Sequence, residues 1–174
     1  MERKSGLDAL KAAIKFEEDG RTFFLDASKK TKQQYGRLMF HTIADAELEH
    51  IQRIQEVYDS LTKTGDWPDS PALFTPKAPL KNIFEEAREQ LDQNVKVKTD
   101  DIEAVAMARE YEEKGLRFYQ DLADRAKALI EKKFYQQLAY EERGHLLMFQ
   151  DMHEYYIDPV HWFSQKEKLH WDGG

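Results

Sequence analysis

The sequence predicts an all-α protein, a four-helix bundle built from two similar helical hairpins with a long crossover between helices 2 and 3. Four long segments repeat apolar residues at helical spacing. The second half of the chain also repeats the first at a fixed offset. Charged residues make up 34% of the chain and apolar residues 41%, with only five prolines. That balance is typical of helices whose outer faces are charged.

The four long helices are predicted from apolar periodicity and from capping residues. Ser5 with Asp8 indicates the start of the first helix, and Asp100 with Glu103 the start of the third. Apolar residues three and four apart then share one face of each segment. The four segments cover about residues 5–28, 34–61, 100–125 and 131–156.

The connection between the two hairpins occupies about residues 62–99. It opens with TKTGDWPDSPALFTPKAP, whose four prolines and one glycine exclude a continuous helix. An amphipathic stretch over about residues 80–94 then predicts a short helix. We expect one domain over residues 1–157, followed by a tail at 158–174 that is too short to be a domain.

The internal repeat is gapless. A shift of 95 residues places AIKFEEDGRTFFLD (13–26) on AREYEEKGLRFYQD (108–121) and MFHTIADAELEHI (39–51) on FYQQLAYEERGHL (134–146). The identical pairs include Glu17/Glu112, Glu18/Glu113, Gly20/Gly115, Glu47/Glu142 and His50/His145. A duplicated hairpin of this kind predicts a bundle with a pseudo-twofold axis.

Each half supplies one glutamate on its first helix and a Glu-x-x-His pair on its second. Three helical residues turn the chain by about 300°, so the two members of each pair project from one face. In each case that face is the apolar one, directed into the bundle. The six residues are Glu17, Glu47, His50, Glu112, Glu142 and His145.

Four carboxylates directed into a core need compensation, because desolvating each costs several kcal/mol. Two divalent cations would bring four positive charges against the four negative ones. With the imidazoles, each ion obtains one nitrogen and several oxygens. This set of imidazole and carboxylate ligands suits Fe(II) or Mn(II), whereas thiolate-rich tetrahedral sites are typical of structural zinc.

These positions resemble those of the ferritin-like di-iron carboxylate proteins. In both halves AxxxEExGxxFF/Y is followed by AxxExxH, which resembles the rubrerythrin branch over about residues 5–157. The resemblance implies a ferritin-like bundle with two iron ions, although manganese or zinc could be found in the purified protein. It implies that Glu47 and Glu142 bridge the ions, that the first-helix glutamates are terminal ligands, and that each histidine binds one ion.

The sequence departs from the rubrerythrin pattern in two ways. It contains no cysteine, so it lacks the rubredoxin domain, and electrons are expected from an external, rubredoxin-like donor. Many rubrerythrins also carry another carboxylate one turn after the third-helix glutamate, where this chain has Gly115, mirrored by Gly20. The site is therefore expected to be more symmetric, as in bacterioferritin.

Three functions follow from these features. The resemblance implies a non-haem di-iron oxidoreductase that reduces hydrogen peroxide, or dioxygen, and protects against oxidative stress. The symmetric ligand set leaves open a ferroxidase for iron storage or delivery. A non-catalytic helical scaffold with a structural metal is the third hypothesis. We expect a homodimer.

Charge and hydropathy exclude other classes. A formal charge of −7 argues against a nucleic-acid partner, which calls for a basic surface. No apolar run approaches the roughly 18 residues of a membrane span, and MERKSGLDAL lacks a signal core, so we expect a cytoplasmic protein without a membrane partner.

The remaining candidates have simpler interpretations. Glu18 and Glu113 lie about 100° from their neighbours and are expected on the polar face. Phe24 and Tyr119 are expected to pack in the core, although the Tyr119 hydroxyl could hydrogen-bond a carboxylate ligand. Gly20 and Gly115 suggest close helix approach or room beside the metals.

Unrepeated residues are not assigned to the metal site. His41, His153 and His161 are expected at the surface or in caps. In the tail, Trp162, Phe163 and Trp171 are expected to dock on the bundle or on a neighbouring subunit. Glu167 and His170 share the Glu-x-x-His spacing by accident, since no repeat partner or apolar helix accompanies them.

Overall fold

A computed structural model describes residues 2–77 and 80–171, and every regular element within these residues is a helix. Its elements are α1 (Glu2–Lys30), α2 (Gln34–Lys63), a 3-10 turn (Pro71–Phe74), α3 (Leu80–Arg88), α4 (Thr99–Arg125), α5 (Leu129–Ile157) and α6 (Pro159–Trp171).

The internal duplication is visible in the helix boundaries. The same 95-residue offset separates the end of α1 at Lys30 from the end of α4 at Arg125, and the start of α2 at Gln34 from the start of α5 at Leu129. Helices α1 and α2 pack along their lengths, as do α4 and α5, and α1 also contacts α4. The predicted all-α bundle of two joined hairpins is confirmed.

Both predicted caps are wrong. Helix α1 begins at Glu2, so Ser5 lies inside the helix. Helix α4 begins at Thr99 after an N-cap, Lys98, that makes no side-chain cap hydrogen bond. The acidic side chain of Asp100 instead lies in the first turn, where the helix dipole favours a negative charge.

The neighbouring Asp101 has a structural role that local sequence could not indicate. Its buried carboxylate accepts hydrogen bonds from the backbone amides of Lys32 and Gln33 at 3.1–3.3 Å. These amides lie in the connection between α1 and α2, so a residue of the second hairpin satisfies backbone donors at the turn of the first. The contact locks the two hairpins together.

The crossover packs against the bundle. Leu73 is buried in its 3-10 turn, and the Trp67 ring lies 5.5 Å from that of Phe134. Helix α3 ends at Arg88, earlier than predicted. The amide of Leu91 already bonds back only three residues, and the Asp92 side chain accepts the amide of Asn94 at 2.8 Å, which turns the chain out of the helix.

Two apolar clusters fill the bundle and leave a gap between them. One is centred on Phe24, Phe40 and Phe149. The other contains Leu10, Ile54, Tyr119 and Leu138 among its members, and the crossover's Leu73 joins it. In each long helix the predicted metal ligands fall between residues of the two clusters, so apolar layers insulate them on both sides.

The tail forms α6, which packs against α5. Trp162 is buried, donates its Nε1 hydrogen to Asp151 at 3.1 Å and packs with the rings of Tyr155 and Phe163. The predicted docking of Trp162 and Phe163 on the bundle is confirmed, whereas the Trp171 side chain lies outside the described residues. Within residues 2–77 and 80–171, no helix has the length and apolarity to cross a bilayer.

Candidate metal centre

The six predicted ligands meet at the centre of the bundle. Helices α1 and α4 each contribute one glutamate, while α2 and α5 each contribute a Glu-x-x-His pair on their inner face. None of the six residues is more than 2% exposed. The six are Glu17, Glu47, His50, Glu112, Glu142 and His145.

The ligand atoms form two overlapping groups. Glu17 and His50 converge with Glu47 and Glu142, and the latter two converge equally with Glu112 and His145. Within each group one potential ligand atom per residue lies within 4.8 Å of all the others. The second-helix glutamates thus lie between two places that could each hold an ion.

The spacing around the imidazoles fits coordination of a shared ion. The Nδ1 atom of His50 lies 3.1–3.4 Å from oxygens of three glutamates, and that of His145 lies 3.3 and 3.6 Å from oxygens of Glu47 and Glu112. Two ligands about 2.1 Å from one ion and at right angles are about 3 Å apart. Neither Nδ1 atom has a hydrogen-bond partner among the described residues.

The carboxylate oxygens of the predicted ligands also include buried atoms without hydrogen-bond partners. Every one of the four glutamates has at least one buried oxygen that accepts no hydrogen bond from a described residue. Buried polar atoms are seldom left in this state, and each exception calls for an explanation such as an ion. All of these unpartnered oxygens belong to residues of the two overlapping groups, so the residues present fit a pair of metal ions.

Burial shifts the acidity of the terminal glutamates. Burial, together with the charge of Glu47, raises the pKa of Glu17 to about 8. Burial and the charges of Glu142 and Glu47 hold the pKa of Glu112 well above its usual range. A carboxyl that must be desolvated retains its proton unless a cation replaces it.

The pKa values of the two imidazoles and of Glu47 are shifted toward the charged forms of these groups. Burial disfavours a charged imidazole, but the surrounding carboxylates outweigh it and raise the pKa of both His50 and His145. Burial and the charge of Glu142 also oppose ionisation of Glu47, yet the adjacent Glu17 and the two imidazoles lower the pKa of Glu47 overall. Without metal, protons therefore balance the cluster, and metal binding must displace them.

One terminal glutamate is held by a tyrosine. The Tyr119 hydroxyl donates a short hydrogen bond to Oε1 of Glu17, which realises the alternative that the sequence left open. Burial and the neighbouring carboxylates raise the pKa of Tyr119, so the hydroxyl stays protonated as a donor. Phe24 packs in the core 5.6 Å from the Phe149 ring, as expected.

An acidic and a basic residue beside the site were missed by the sequence analysis. Oε2 of Glu141 lies 3.0 Å from Nε2 of His50, and the Glu141 carboxylate forms a bidentate ion pair with Arg53, at 2.9 and 2.5 Å. This pairing lowers the pKa of Glu141 below its usual range, against the effect of burial. A carboxylate on the outer nitrogen of a ligating histidine fixes the ring and its tautomer. In the sequence, Glu141 directly precedes the predicted ligand Glu142, and this adjacency is the one feature that could have indicated it.

The repeated glycines make room for neighbouring side chains. A Cβ atom at Gly20 would lie 2.7 Å from the Tyr111 ring, and one at Gly115 would lie 2.8 Å from Oε2 of Glu142 and 3.1 Å from Phe16. Both suggestions for these glycines therefore hold, since Gly20 permits close packing and Gly115 leaves room beside a predicted ligand.

The residues expected outside the site do lie outside it. Glu18 and Glu113 are exposed, and Glu113 pairs with Arg117 one turn away. His41 and His161 are exposed, with the amide of His161 capped by Asp158, while His153 is half-buried beside Arg109.

The Glu-x-x-His pair in the tail, which was predicted to have no apolar helix around it, lies on α6. Glu167 is exposed on α6, and the side chain of His170 lies outside the described residues.

Carboxylates and imidazoles converging between the helices of a four-helix bundle define a class of carboxylate-bridged metal proteins. The rubrerythrin family model matches residues 8–153, which include all six predicted ligands and the crossover, and the chain therefore belongs to the rubrerythrin family. The buried cluster is accordingly a candidate metal-binding site.

The comparison with solved structures supports the fold. A protein from Pyrococcus furiosus, described as hypothetical, superposes with a TM-score of 0.63 over 90% of this chain and 93% of its own. The two are 24% identical in sequence, so the likeness bears on architecture alone. No curated protein matches the chain significantly.

Proposed function

We propose that this protein binds two iron ions between its four glutamates and two histidines and uses them to reduce hydrogen peroxide. The observation that carries the proposal is that Glu47 and Glu142 belong to both ligand groups. A carboxylate reached from two sides is suited to bridging two ions. Bridging glutamates, terminal Glu17 and Glu112, and one histidine per ion complete the proposed arrangement.

Two bound ferrous ions would supply the two electrons that, with two protons, convert hydrogen peroxide into two water molecules. The chain's own residues hold the ligands in place and exclude water. Apolar clusters on both sides of the site remove bulk solvent. The Tyr119 hydroxyl holds Oε1 of Glu17, and Glu141 holds the His50 ring.

Electrons to restore the ferrous state must come from outside these residues. The 174 residues contain no cysteine and so provide no thiolate-bound iron. We therefore propose a separate, rubredoxin-like donor. A cytoplasmic homodimer is the proposed setting.

The decisive experiment mixes the anaerobic, iron-loaded and reduced protein with one equivalent of hydrogen peroxide and follows the iron absorbance. A parallel sample receives air-saturated buffer. We expect peroxide to oxidise the centre at least tenfold faster than air does. Equal rates, or faster oxidation by air, would refute peroxide as the substrate and favour dioxygen chemistry.

Adjacent glutamates provide matched variants. Glu112→Gln removes a buried predicted ligand, whereas Glu113→Gln changes an exposed residue that forms an ion pair with Arg117. We expect the first variant to bind less iron than the parent protein and to lose peroxide-driven oxidation, and the second variant to keep both. Similar behaviour of both variants would contradict the assignment of Glu112.

A ferroxidase is the second candidate, and the glycine at position 115 favours it. Glu142 occupies the space that a further side chain there would need, so the ligand set keeps its near-twofold symmetry. Iron storage requires a hollow shell of many subunits. Native mass measurement distinguishes the candidates, because a dimer is incompatible with storage in a shell.

A further inference from the structure

The duplication lets one half of the metal centre be compared with the other, because residues 95 positions apart occupy equivalent places. The ligands themselves are identical in the two halves. The side chains that hold those ligands are not. We call the two places the Glu17/His50 position and the Glu112/His145 position.

Polar side chains support the Glu17/His50 position. The outer nitrogen of His50 contacts Glu141, which is buttressed by Arg53 and by the Gln137 amide at 2.8 Å. Arg53 is itself only 6% exposed and also donates to the Leu73 carbonyl at 3.3 Å. The second ligand, Glu17, accepts the hydrogen bond of Tyr119. Both terminal ligands are thus oriented before any metal binds.

None of this support recurs at the Glu112/His145 position. Among the described residues, Nε2 of His145 has no hydrogen-bond partner and neither oxygen of Glu112 accepts a hydrogen bond. The repeat explains why, since nonpolar or shorter residues replace the supporting ones. Glu141, Arg53, Gln137 and Tyr119 correspond to Ala46, Met148, Thr42 and Phe24.

The less supported position also borders a pocket. A cavity of about 640 Å³ is lined by His145 and by three of the replacing residues, Thr42, Ala46 and Met148. The smaller Ala46 side chain leaves open the place that Glu141 fills beside His50. The outer edge of the His145 ring therefore faces the cavity, while that of His50 is closed by an ion pair.

We propose, on the basis of the proposed metal-binding function, that the two ion positions are inequivalent. The Glu17/His50 position binds its ion tightly, and the Glu112/His145 position binds a weaker ion that exchanges through the pocket. Glu141, Arg53 and Tyr119 act as positioning residues. Removing partners of this kind lowers metal affinity by about 10–100-fold, which sets the expected difference between the positions.

The test is a titration of the full-length, chelator-treated protein with Mn(II), followed by electron paramagnetic resonance and by calorimetry. We expect two binding steps. One equivalent should give the spectrum of isolated Mn(II), and the second should convert it to that of a coupled pair. Equal affinities, or a coupled spectrum from the first addition, would overturn the inference but leave the metal site standing. Absence of any Mn(II) binding would overturn the proposed function as well.

Two variants assign the tight step to its residues. Arg53→Met with Glu141→Ala transplants the residues of the other half, and Tyr119→Phe does the same for the tyrosine. Each should weaken the tight step by about 10–100-fold and leave the weak step unchanged, so that the two steps merge. Tyr119→Phe preserves the packed ring, so its result stands even if the double variant fails to fold.

Glu49→Gln is the matched control. Glu49 lines the same pocket but pairs with the Lys77 amide at 3.0 Å instead of an imidazole. We expect both binding steps to stay as in the parent protein. A tight step that survives Tyr119→Phe, or one that Glu49→Gln weakens equally, would overturn the role assigned to the supporting residues.

Discussion

Replacing Gly115 with alanine should separate the stability of the bundle from its affinity for metal. The added Cβ would lie 2.8 Å from Oε2 of Glu142, and ordinary contact begins at 3.4 Å. The carboxylate must therefore move by about 0.6 Å, the difference between these distances. Metal–ligand distances tolerate only about 0.2 Å.

The substitution should affect the stability of the metal-free protein much less than its affinity for metal. Glu142 presents the free end of a flexible side chain, so its displacement costs the metal-free fold little. Alanine also gains up to about 1 kcal/mol in helix propensity over glycine. The tight contact of Phe16, at 3.1 Å from the same Cβ, offsets part of that gain. We expect the free energy of unfolding of the metal-free protein to change by less than about 1 kcal/mol.

Metal affinity should respond much more strongly. Because Glu142 belongs to both ligand groups, displacement affects both ions. We expect Mn(II) affinity to fall by about 10–100-fold at each step, the range found when the support of metal ligands is disturbed. Urea unfolding in the presence of a chelator measures the first quantity and calorimetric titration the second.

Gly144→Ala provides the control. Gly144 lies in α5 next to His145, yet a Cβ there would meet nothing within 4 Å. This variant should become more stable by up to about 1 kcal/mol with unchanged metal affinity. The reasoning is refuted if Gly115→Ala keeps the parent affinity, or if it unfolds the metal-free protein.

Three further outcomes are expected. Gly20→Ala should destabilise the metal-free protein by about 1–3 kcal/mol in urea, because its Cβ would lie 2.7 Å from the stacked ring of Tyr111; a stability gain would contradict this. Glu47→Ala should abolish binding of both metals, measured by metal analysis, with a modest stability loss because the remaining carboxyls can protonate; one retained ion would contradict the shared position. The stability of the metal-free protein should fall by at least about 1 kcal/mol per pH unit between pH 4.5 and about 8, since Glu17 holds its proton in the folded state up to about 8 and loses it near 4.5 when unfolded, and the raised pKa of Glu112 acts in the same direction. The raised pKa of the imidazoles acts in the same direction above pH 6.5, so urea midpoints that rise with pH would refute the proton-balanced cluster.

The duplication made the fold and the cluster predictable. A ligand such as Glu47 is marked twice, by its apolar helix face and by its partner Glu142 at the same offset. Two independent signals distinguish such a residue from the many solvated glutamates of an acidic chain. The same logic separated Glu17 from the equally repeated Glu18, because only the former shares the apolar face.

What the repeat could not reveal is where the two halves differ. Glu141 and Arg53 correspond to Ala46 and Met148, so no repetition singles them out. Their importance comes from a contact across 88 residues of sequence, formed only when α2 and α5 pack together. Asp101 was hidden for the same reason, since its carboxylate accepts backbone hydrogen bonds from the α1–α2 connection of the opposite hairpin.

The structure also changes the physical argument for a metal. Burial of four carboxylates does not by itself require cations, because the raised pKa values of Glu17, Glu112 and both imidazoles let protons neutralise the cluster. Protons, however, cannot satisfy every buried atom. The two Nδ1 atoms and at least one oxygen of each glutamate have no hydrogen-bond partner among the described residues, and the six side chains meet at ligand spacing. Charge balance is thus compatible with a protonated cluster and with a metal-bound one. The arrangement of these unpartnered atoms is the feature that favours metal ions over protons.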